Sequence, residues 1–360
     1  MHRPTGLPIP SSKLPERLLV IGASARLLAE SAARAHIRVV ALDHYADADT
    51  RSLAEQVHAI PTRHGCFRPE PLLEHAARLA PALHYPLVYG SGLDSRPELL
   101  ERLAADRVVF GNPPSVLALF REPRHFFELL DRCAIPYPDI RYRRPENPEN
   151  WLIKSGCSEG GKRVRFCAHN RPGPGDYYQR RISGRAFSVL FLADGENVRF
   201  MGFNTLWTSK TPGRFLFEGA MNWAPLSLEQ RRRIEGNAVK LVKATGLKGL
   251  NSLDFMVDVR GGPLTIEVNT RPSATMALYD EDYSNAFSRR TSGPVRAYWP
   301  NRSVTKLSGL FVWPMRRSLR AWEQISSGRN GAPIAPSPVP MSRRECPSVP
   351  FGPKGGVPTR

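Results

Sequence analysis

The chain has 360 residues, enough for two or three domains with a sizeable buried core. Hydrophobic residues make up 41% of it, yet no apolar run approaches the roughly 18 residues of a membrane span. The stretch Leu18 to Ala23 is too short for a signal-peptide core, so a cytoplasmic protein with no membrane partner is expected. Formal net charge is +18, but Ser288 to Arg360 holds 13 Lys+Arg against 2 acids, leaving 38 basic and 31 acidic residues upstream. A nucleic-acid binder with basic residues spread over its folded part is therefore not indicated.

Residues 1–16 read as a loose leader. Arg17 to Ile21 reads as a buried strand ending in a glycine turn. An Ala-rich amphipathic helix through His36 and a strand from Arg38 to Asp43 follow, which together make a βαβ opening. The turn Gly22-Ala-Ser-Ala25, with Asp43 as ribose acceptor, suggests a dinucleotide site, but G-x-G-x-x-G is missing; a nucleotide-dependent oxidoreductase on this unit stays as an alternative. Leu87 to Tyr89 with Gly90-Ser-Gly92, a helix from Arg96 to Ala105 and a strand from Val108 to Asn112 continue the rhythm. Residues 17–115 are thus expected to form a small parallel α/β domain. Its strand ends, Asp43-His-Tyr45 and Gly90-Ser-Gly92, either face a cleft that takes an acceptor or only make tight turns.

Asn112-Pro-Pro-Ser115 opens a helix at an N-cap-like position, and Arg124 to Cys133 forms the next helix before the break at Ile135-Pro-Tyr-Pro138. Trp151 to Lys154 is a short apolar strand ending in a cation. The loop after it carries Ser158, Gly160 and Gly161 and leads into a strand from Arg163 to Cys167. Such glycines let backbone N–H groups approach phosphate oxygens while Lys154 adds a point charge, although a plain hairpin turn is spelled the same way. Tyr177 to Gly184, with Gln179, Arg180 and Ile182, leads into a strand from Phe187 to Leu192. Phe215 to Pro225 is apolar and broken by Gly and Pro; it either lines the acceptor side or only packs, and packing is the favoured reading. Leu226 to Thr245 has helical periodicity and stops at Gly246.

Residues 250–273 carry the chemistry. Two alternating strands are split by Arg260-Gly-Gly-Pro263, a hairpin signal. Glu267 and Asn269 share one face of the second strand, about 6.6 Å apart, and Asp254 comes from the first. All three offer oxygen donors, the hard set that Mg²⁺ selects; an ordinary solvated face is the plain alternative. Arg271 brings a planar cation beside them. Beyond Ser288 the chain becomes basic and, from Gly331, rich in proline and serine, so residues 288–360 are expected to be disordered. Aromatics are sparse among the tail's cations, which argues against a nucleic-acid partner. Cys66, Cys133, Cys157, Cys167 and Cys346 have no CxxC spacing, so no disulfide framework or zinc site is suggested.

The series Asp254-Phe, glycine turn, Glu267-Val-Asn-Thr-Arg-Pro272 resembles the metal-binding hairpin of the ATP-grasp superfamily, and the order of Lys154, glycine loop, hinge and hairpin matches that superfamily over residues 17–285. The resemblance implies an ATP-grasp fold of the α/β and α+β classes, with an N-terminal α/β domain and a nucleotide-binding domain at 116–287. It implies ATP and Mg²⁺ (or Mn²⁺) as cofactors. Lys154, Ser158, Gly160, Gly161, Gln179, Arg180 and Ile182 would then surround the nucleotide. Asp254, Glu267 and Asn269 would hold the metal, and Lys154 and Arg271 would act on the transferring phosphoryl group. The implied activity is an ATP- and Mg-dependent ligase that activates a small-molecule carboxylate as an acyl phosphate and joins it to an amine. The stretches Leu42 to Arg51, Tyr89 to Gly92 and Glu267 to Arg271 are closest in style to tyramine–glutamate ligase-like proteins of one-carbon cofactor biosynthesis. Two departures stand out. Many members place a lysine where this chain has Arg121-Glu-Pro-Arg124, making Arg121 or Arg124 the candidate phosphate contact. The hinge carries Arg180 and Arg181 where an acid commonly meets the ribose, which keeps a non-catalytic ATP-binding protein as a second alternative. Neither the substrates nor an oligomeric state is set by these letters.

Overall fold

The computed structural model describes residues 15–156, 160–209, 215–259, 261–279 and 297–298. Ser158, the leader through residue 14 and the tail other than 297–298 lie outside the described residues.

The chain opens as β1 (Arg17–Ile21), α1 (Arg26–Arg34) and β2 (Arg38–Asp43), the expected βαβ unit. Next come α2 (Ala48–Leu53), β3 (Gln56–Ala59), a small hairpin of β4 (Thr62–Arg63) and β5 (Cys66–Phe67), α3 (Pro69–Leu79), β6 (Leu87–Tyr89) and α4 (Pro97–Ala104). Strands β3, β2, β1 and β6 lie side by side in that order, all parallel. A parallel sheet must be covered on both faces, and the sequence supplies the cover. Leu18 and Val20 pack with Leu28, Ala29 and Ala32 of α1, whereas Leu19 and Ile21 pack with Leu72 of α3 and Leu99 of α4. The strand expected at Val108 to Asn112 reduces to one parallel bridge between Val109 and Leu87.

Asp43 corrects the dinucleotide alternative. Its carboxylate is fully buried and accepts the backbone N–H groups of Ala25, Tyr45 and Ala46 at 3.1, 2.9 and 2.7 Å. It ties β2 to the start of α1 and, fully buried, presents no face to a ribose.

After α5 (Pro114–Arg121) and α6 (Pro123–Arg132) come four short strands, β7 (Ile140–Arg141), β8 (Trp151–Ser155), β9 (Arg165–Phe166) and β10 (Asp176–Arg180). They form an antiparallel sheet in the order β7, β10, β8, β9. The remainder is β11 (Gly184–Asp194), β12 (Val198–Thr208), β13 (Phe217–Met221), α7 (Leu228–Thr245), β14 (Lys248–Asp258), β15 (Pro263–Asn269) and β16 (Ala297–Tyr298). These strands make a second antiparallel sheet ordered β15, β14, β11, β12, β13, β16. The pairing of β16 with β13 therefore draws two residues of the expected tail onto this sheet's edge.

Helix α7 starts and stops where local chemistry dictates. Ser227 and Gln230 form a reciprocal capping box at its N-terminus, and Gly246 ends it in the left-handed conformation at φ 72°. Alternation along β11 separates two cores. Phe187, Val189 and Phe191 face α6 and α7, whereas Leu190 and Leu192 join the core of α1, Leu18 and Val20. The two halves of the chain thus share an apolar core.

They also share a buried polar joint. α5 begins after Pro113 with no side-chain cap, because prolines at its start supply the required φ and omit a donor that would otherwise need a partner. Asn112, expected near that cap, instead donates to Asn251 Oδ1 at 2.7 Å and to the Thr270 carbonyl at 2.9 Å, while its Oδ1 accepts Lys248 N–H at 2.7 Å. Removing its amide leaves several sealed groups without partners. Asn112→Ala is expected to lower stability by about 2 kcal/mol, read from the urea midpoint at unchanged m-value.

Candidate active site

A cleft of about 1140 Å³ opens where three surfaces converge. The first is the C-terminal edge of the parallel sheet, with Ser24, Ser91 and Asp94. Here β1 and β6 are neighbours whose connections leave in opposite directions, the position at which open parallel sheets form crevices. The second surface is the small sheet, with Lys154, Tyr177 and Gln179. The third is the β14/β15 hairpin, with Asp254, Glu267, Asn269 and Arg271.

The hairpin delivers the three expected oxygen donors together. Antiparallel register sets Asp254 directly opposite Glu267 and Ser252 opposite Asn269, with a bulge after Asp254. Asn269 Nδ2 donates to Asp254 Oδ2 at 3.3 Å and to Ser252 Oγ at 3.2 Å. Gly261, at φ 81°, makes the turn that brings the strands back. The carboxyl of Asp254 is pushed well above the ordinary range, first by burial and then by repulsion from Glu267, against the pull of Arg271 and the Asn269 hydrogen bond. Two carboxylates held this close are relieved by a cation. Among the described residues no three of His, Cys, Asp and Glu gather into a closed metal cage. Two carboxylates and an amide leave coordination positions open, and Mg²⁺ characteristically fills such positions with water and phosphate oxygens.

Lys154 comes from β8 and is buried, 8% exposed. Its ammonium lies 3.4 Å from Gln179 Oε1. Burial alone lowers its pKa, but Tyr177, Glu267 and Asp254 outweigh that effect and hold it above the ordinary lysine value. Lys154 therefore stays charged while facing the hairpin's carboxylates. Gln179 is 3% exposed and lines the cleft, and its Nε2 is sealed with no hydrogen-bond partner among the described residues. A buried amide N–H in that state suits an acceptor on a bound molecule.

Of the glycine loop, residues 160–164 lie across the cleft against the start of β13: Phe217 N–H reaches the Gly160 carbonyl at 3.1 Å. Phe215 and Phe217 line the cleft, the second of the two sequence readings for this segment, and are partners of the loop. Gly160, at φ 56°, has open space where a Cβ would point, leaving its backbone accessible; Gly161, at φ 75°, abuts the Phe215 carbonyl so closely that a Cβ would collide with it. Gly161→Ala adds that clash to a left-handed backbone penalty of about 1–2 kcal/mol, so it is expected to displace the loop and lower the melting temperature by a few degrees, read by scanning calorimetry.

At the hinge, Ile182 and Arg180 both line the cleft, but the Arg180 guanidinium turns outward to Asp139 at 3.3 Å and its backbone N–H donates to the Asp139 carbonyl at 2.8 Å. Arg181 stacks over Phe166 at 5.3 Å. Arg121 lines the cleft and pairs with Glu98 at 3.1 Å, whereas Arg124 stacks on Tyr142 at 4.0 Å. Arg121 is thus the one of this pair that lines the cleft. Arg271 is bound through Nε to Asp94 Oδ2 at 2.9 Å.

Three cleft residues escaped the sequence reading. Ser252 and Tyr177 were detectable in principle, each from strand alternation beside a residue already singled out. Asp94 meets Arg271 across 177 positions, and only the Gly90-Ser-Gly92 loop beside it hinted at a role.

Comparison with known proteins bears on this arrangement. The sequence matches no curated protein. The ATP-grasp domain family matches residues 123–275. Among solved structures, the biotin carboxylase domain of Hydrogenobacter thermophilus 2-oxoglutarate carboxylase, in complex with MgADP, ADP and bicarbonate, superposes with a TM-score of 0.64 at 16% identity, covering 89% of this chain and 71% of that one. Biotin carboxylase from Campylobacter jejuni gives 0.60 at 18% identity, over 75% and 68%. L-amino acid ligase from Bacillus licheniformis gives 0.59 at 17% identity, over 76% and 71%. The chain therefore has the ATP-grasp fold, and residues 123–275 are the stretch that matches the ATP-grasp domain family.

Proposed function

We propose that the protein is an ATP- and Mg²⁺-dependent ligase that activates a carboxylate as an acyl phosphate and joins it to an amine. One observation carries the reading: the Asp254/Glu267 carboxylate pair and the buried Lys154 ammonium face one another across a single cleft. That is a place for a polyphosphate and its counter-cation.

A carboxylate is a poor electrophile, and phosphorylation supplies the missing leaving group. In phosphoryl transfer the protein mainly positions the reactants and neutralises charge. Asp254, Glu267 and Asn269 are the residues that would hold Mg²⁺, and the ion would supply neutralising charge to the phosphates. Lys154 neutralises a phosphate from the small sheet. The backbone at Gly160 offers an N–H to the phosphates, and Gln179 Nε2 and the main chain at Ile182 receive the base, beside Arg180. Arg271 stabilises charge on the transferring group and then on the acyl phosphate. The amine attacks the acyl carbon, and phosphate leaves with the electron pair of the broken C–O bond.

The MgADP complex of the Hydrogenobacter protein and the L-amino acid ligase among the fold neighbours support this class. Within it, Leu42 to Arg51 and Tyr89 to Gly92 favour the tyramine–glutamate ligase-like proteins, so glutamate with tyramine is the first pair to assay. Purified protein with MgATP, an acid and an amine should release ADP and phosphate in equal amounts, and only with both acceptors present. ATP bound without turnover across a broad panel of acids and amines would favour the non-catalytic alternative.

A further inference from the structure

Asp94 has no part in the chemistry above, yet it grips a residue that does. It sits on the loop after β6, which also places Ser91 and Ser95 on the cleft. Besides the 2.9 Å bond from Arg271 Nε to Asp94 Oδ2, Arg271 Nη1 donates to the Pro272 carbonyl at 3.3 Å. The Arg271 and Asp94 side chains are only 12% and 15% exposed. An arginine at a strand end has several rotatable bonds, and its aim has to be set from outside the hairpin. Here it is set from the N-terminal sheet.

The loop's base is anchored as well. Tyr89, the last residue of β6, donates through its hydroxyl to the Asn112 carbonyl at 2.8 Å and lies 3.4 Å from the carbonyl of Thr270, the neighbour of Arg271. Asp94 Oδ1 is sealed from solvent and has no hydrogen-bond partner among the described residues. A carboxylate in that condition is a costly way to tie two domains together, because an apolar contact would do so without an orphaned acceptor. Its retention fits a role in aiming the guanidinium.

We propose that Asp94 is a positioning residue: it holds the Arg271 guanidinium toward the transferring phosphoryl group and thereby couples the loop that lines the acceptor side of the cleft to phosphoryl transfer. This rests on the ligase reading given above. The test is calorimetry on the full chain with MgADP, and with MgADP plus fluoroaluminate as a mimic of the transferring phosphoryl group. Asp94→Asn is expected to weaken the fluoroaluminate complex roughly tenfold or more while MgADP affinity shifts by less than about twofold. In an Arg271→Ala background the same substitution should add less than about twofold, since its effect runs through that guanidinium. A loss that persists without Arg271, an equal loss for both ligands, or no loss at all would each overturn the assignment. If wild-type protein binds neither ligand, the ligase reading fails and takes the assignment with it. If wild type binds both and Asp94→Asn is indistinguishable from it, only the assignment fails.

Discussion

Glu267→Ala is expected to weaken Mg²⁺-dependent ATP binding at least ~100-fold, beyond the upper end of what loss of a supporting residue around a metal costs. Glu267 is one of only two carboxylates on the hairpin's cleft face, and it stands directly opposite the other, Asp254. Removing it leaves one anionic donor and an amide, too little to hold a hydrated divalent cation beside a triphosphate. The fold should survive, because Glu267 is exposed and its repulsion is among the forces that push the Asp254 carboxyl upward. A melting temperature equal to or above wild type, together with lost binding, would assign the defect to the site. Unchanged ATP affinity would remove the hairpin from the nucleotide's surroundings altogether.

Arg271→Ala is expected to slow ADP release by roughly 10²–10³-fold, the cost of deleting one preorganised donor to developing charge. The same change leaves Asp94 facing the cleft without its cation, and about 2–3 kcal/mol of stability should go with it, less than for a wholly sealed pair. Arg271→Lys separates the two effects. A lysine keeps a charge near Asp94 but lacks the fixed fork of a guanidinium, so stability should largely return while turnover stays low. Full turnover in Arg271→Lys would show that only charge is needed at that position.

What could be read from the letters follows the range of the forces involved. The β14/β15 hairpin was legible because period-2 alternation and a Gly-Gly turn are written within twenty residues, and register then brings Asp254 to Glu267 without further information. Helix α7 was legible because its periodicity and the Gly246 stop are both local; the Ser227/Gln230 capping box, equally local, went unread. Asn112 was misjudged for the opposite reason: its position before two prolines imitates a cap, and its true partners, Asn251 and Thr270, lie 139 and 158 residues away. Arg180 shows a subtler limit. Its place on the hinge was legible, but the outward turn of its guanidinium depends on Asp139, a neighbour that only the small sheet brings close. The landing of the glycine loop on Phe215 and Phe217 was hidden in the same way, since neither segment's composition specifies the other.

The central claim is that the hairpin holds a divalent cation on the phosphates of a nucleotide. Crystals grown with Mn²⁺ and ADP would test it most directly, because manganese can be located by its anomalous scattering. The account predicts a peak within about 2.0–2.3 Å of oxygens from Asp254, Glu267 and Asn269, with the diphosphate between that ion and Lys154. A nucleotide bound with no ion at the hairpin, or an ion bound elsewhere, would contradict it.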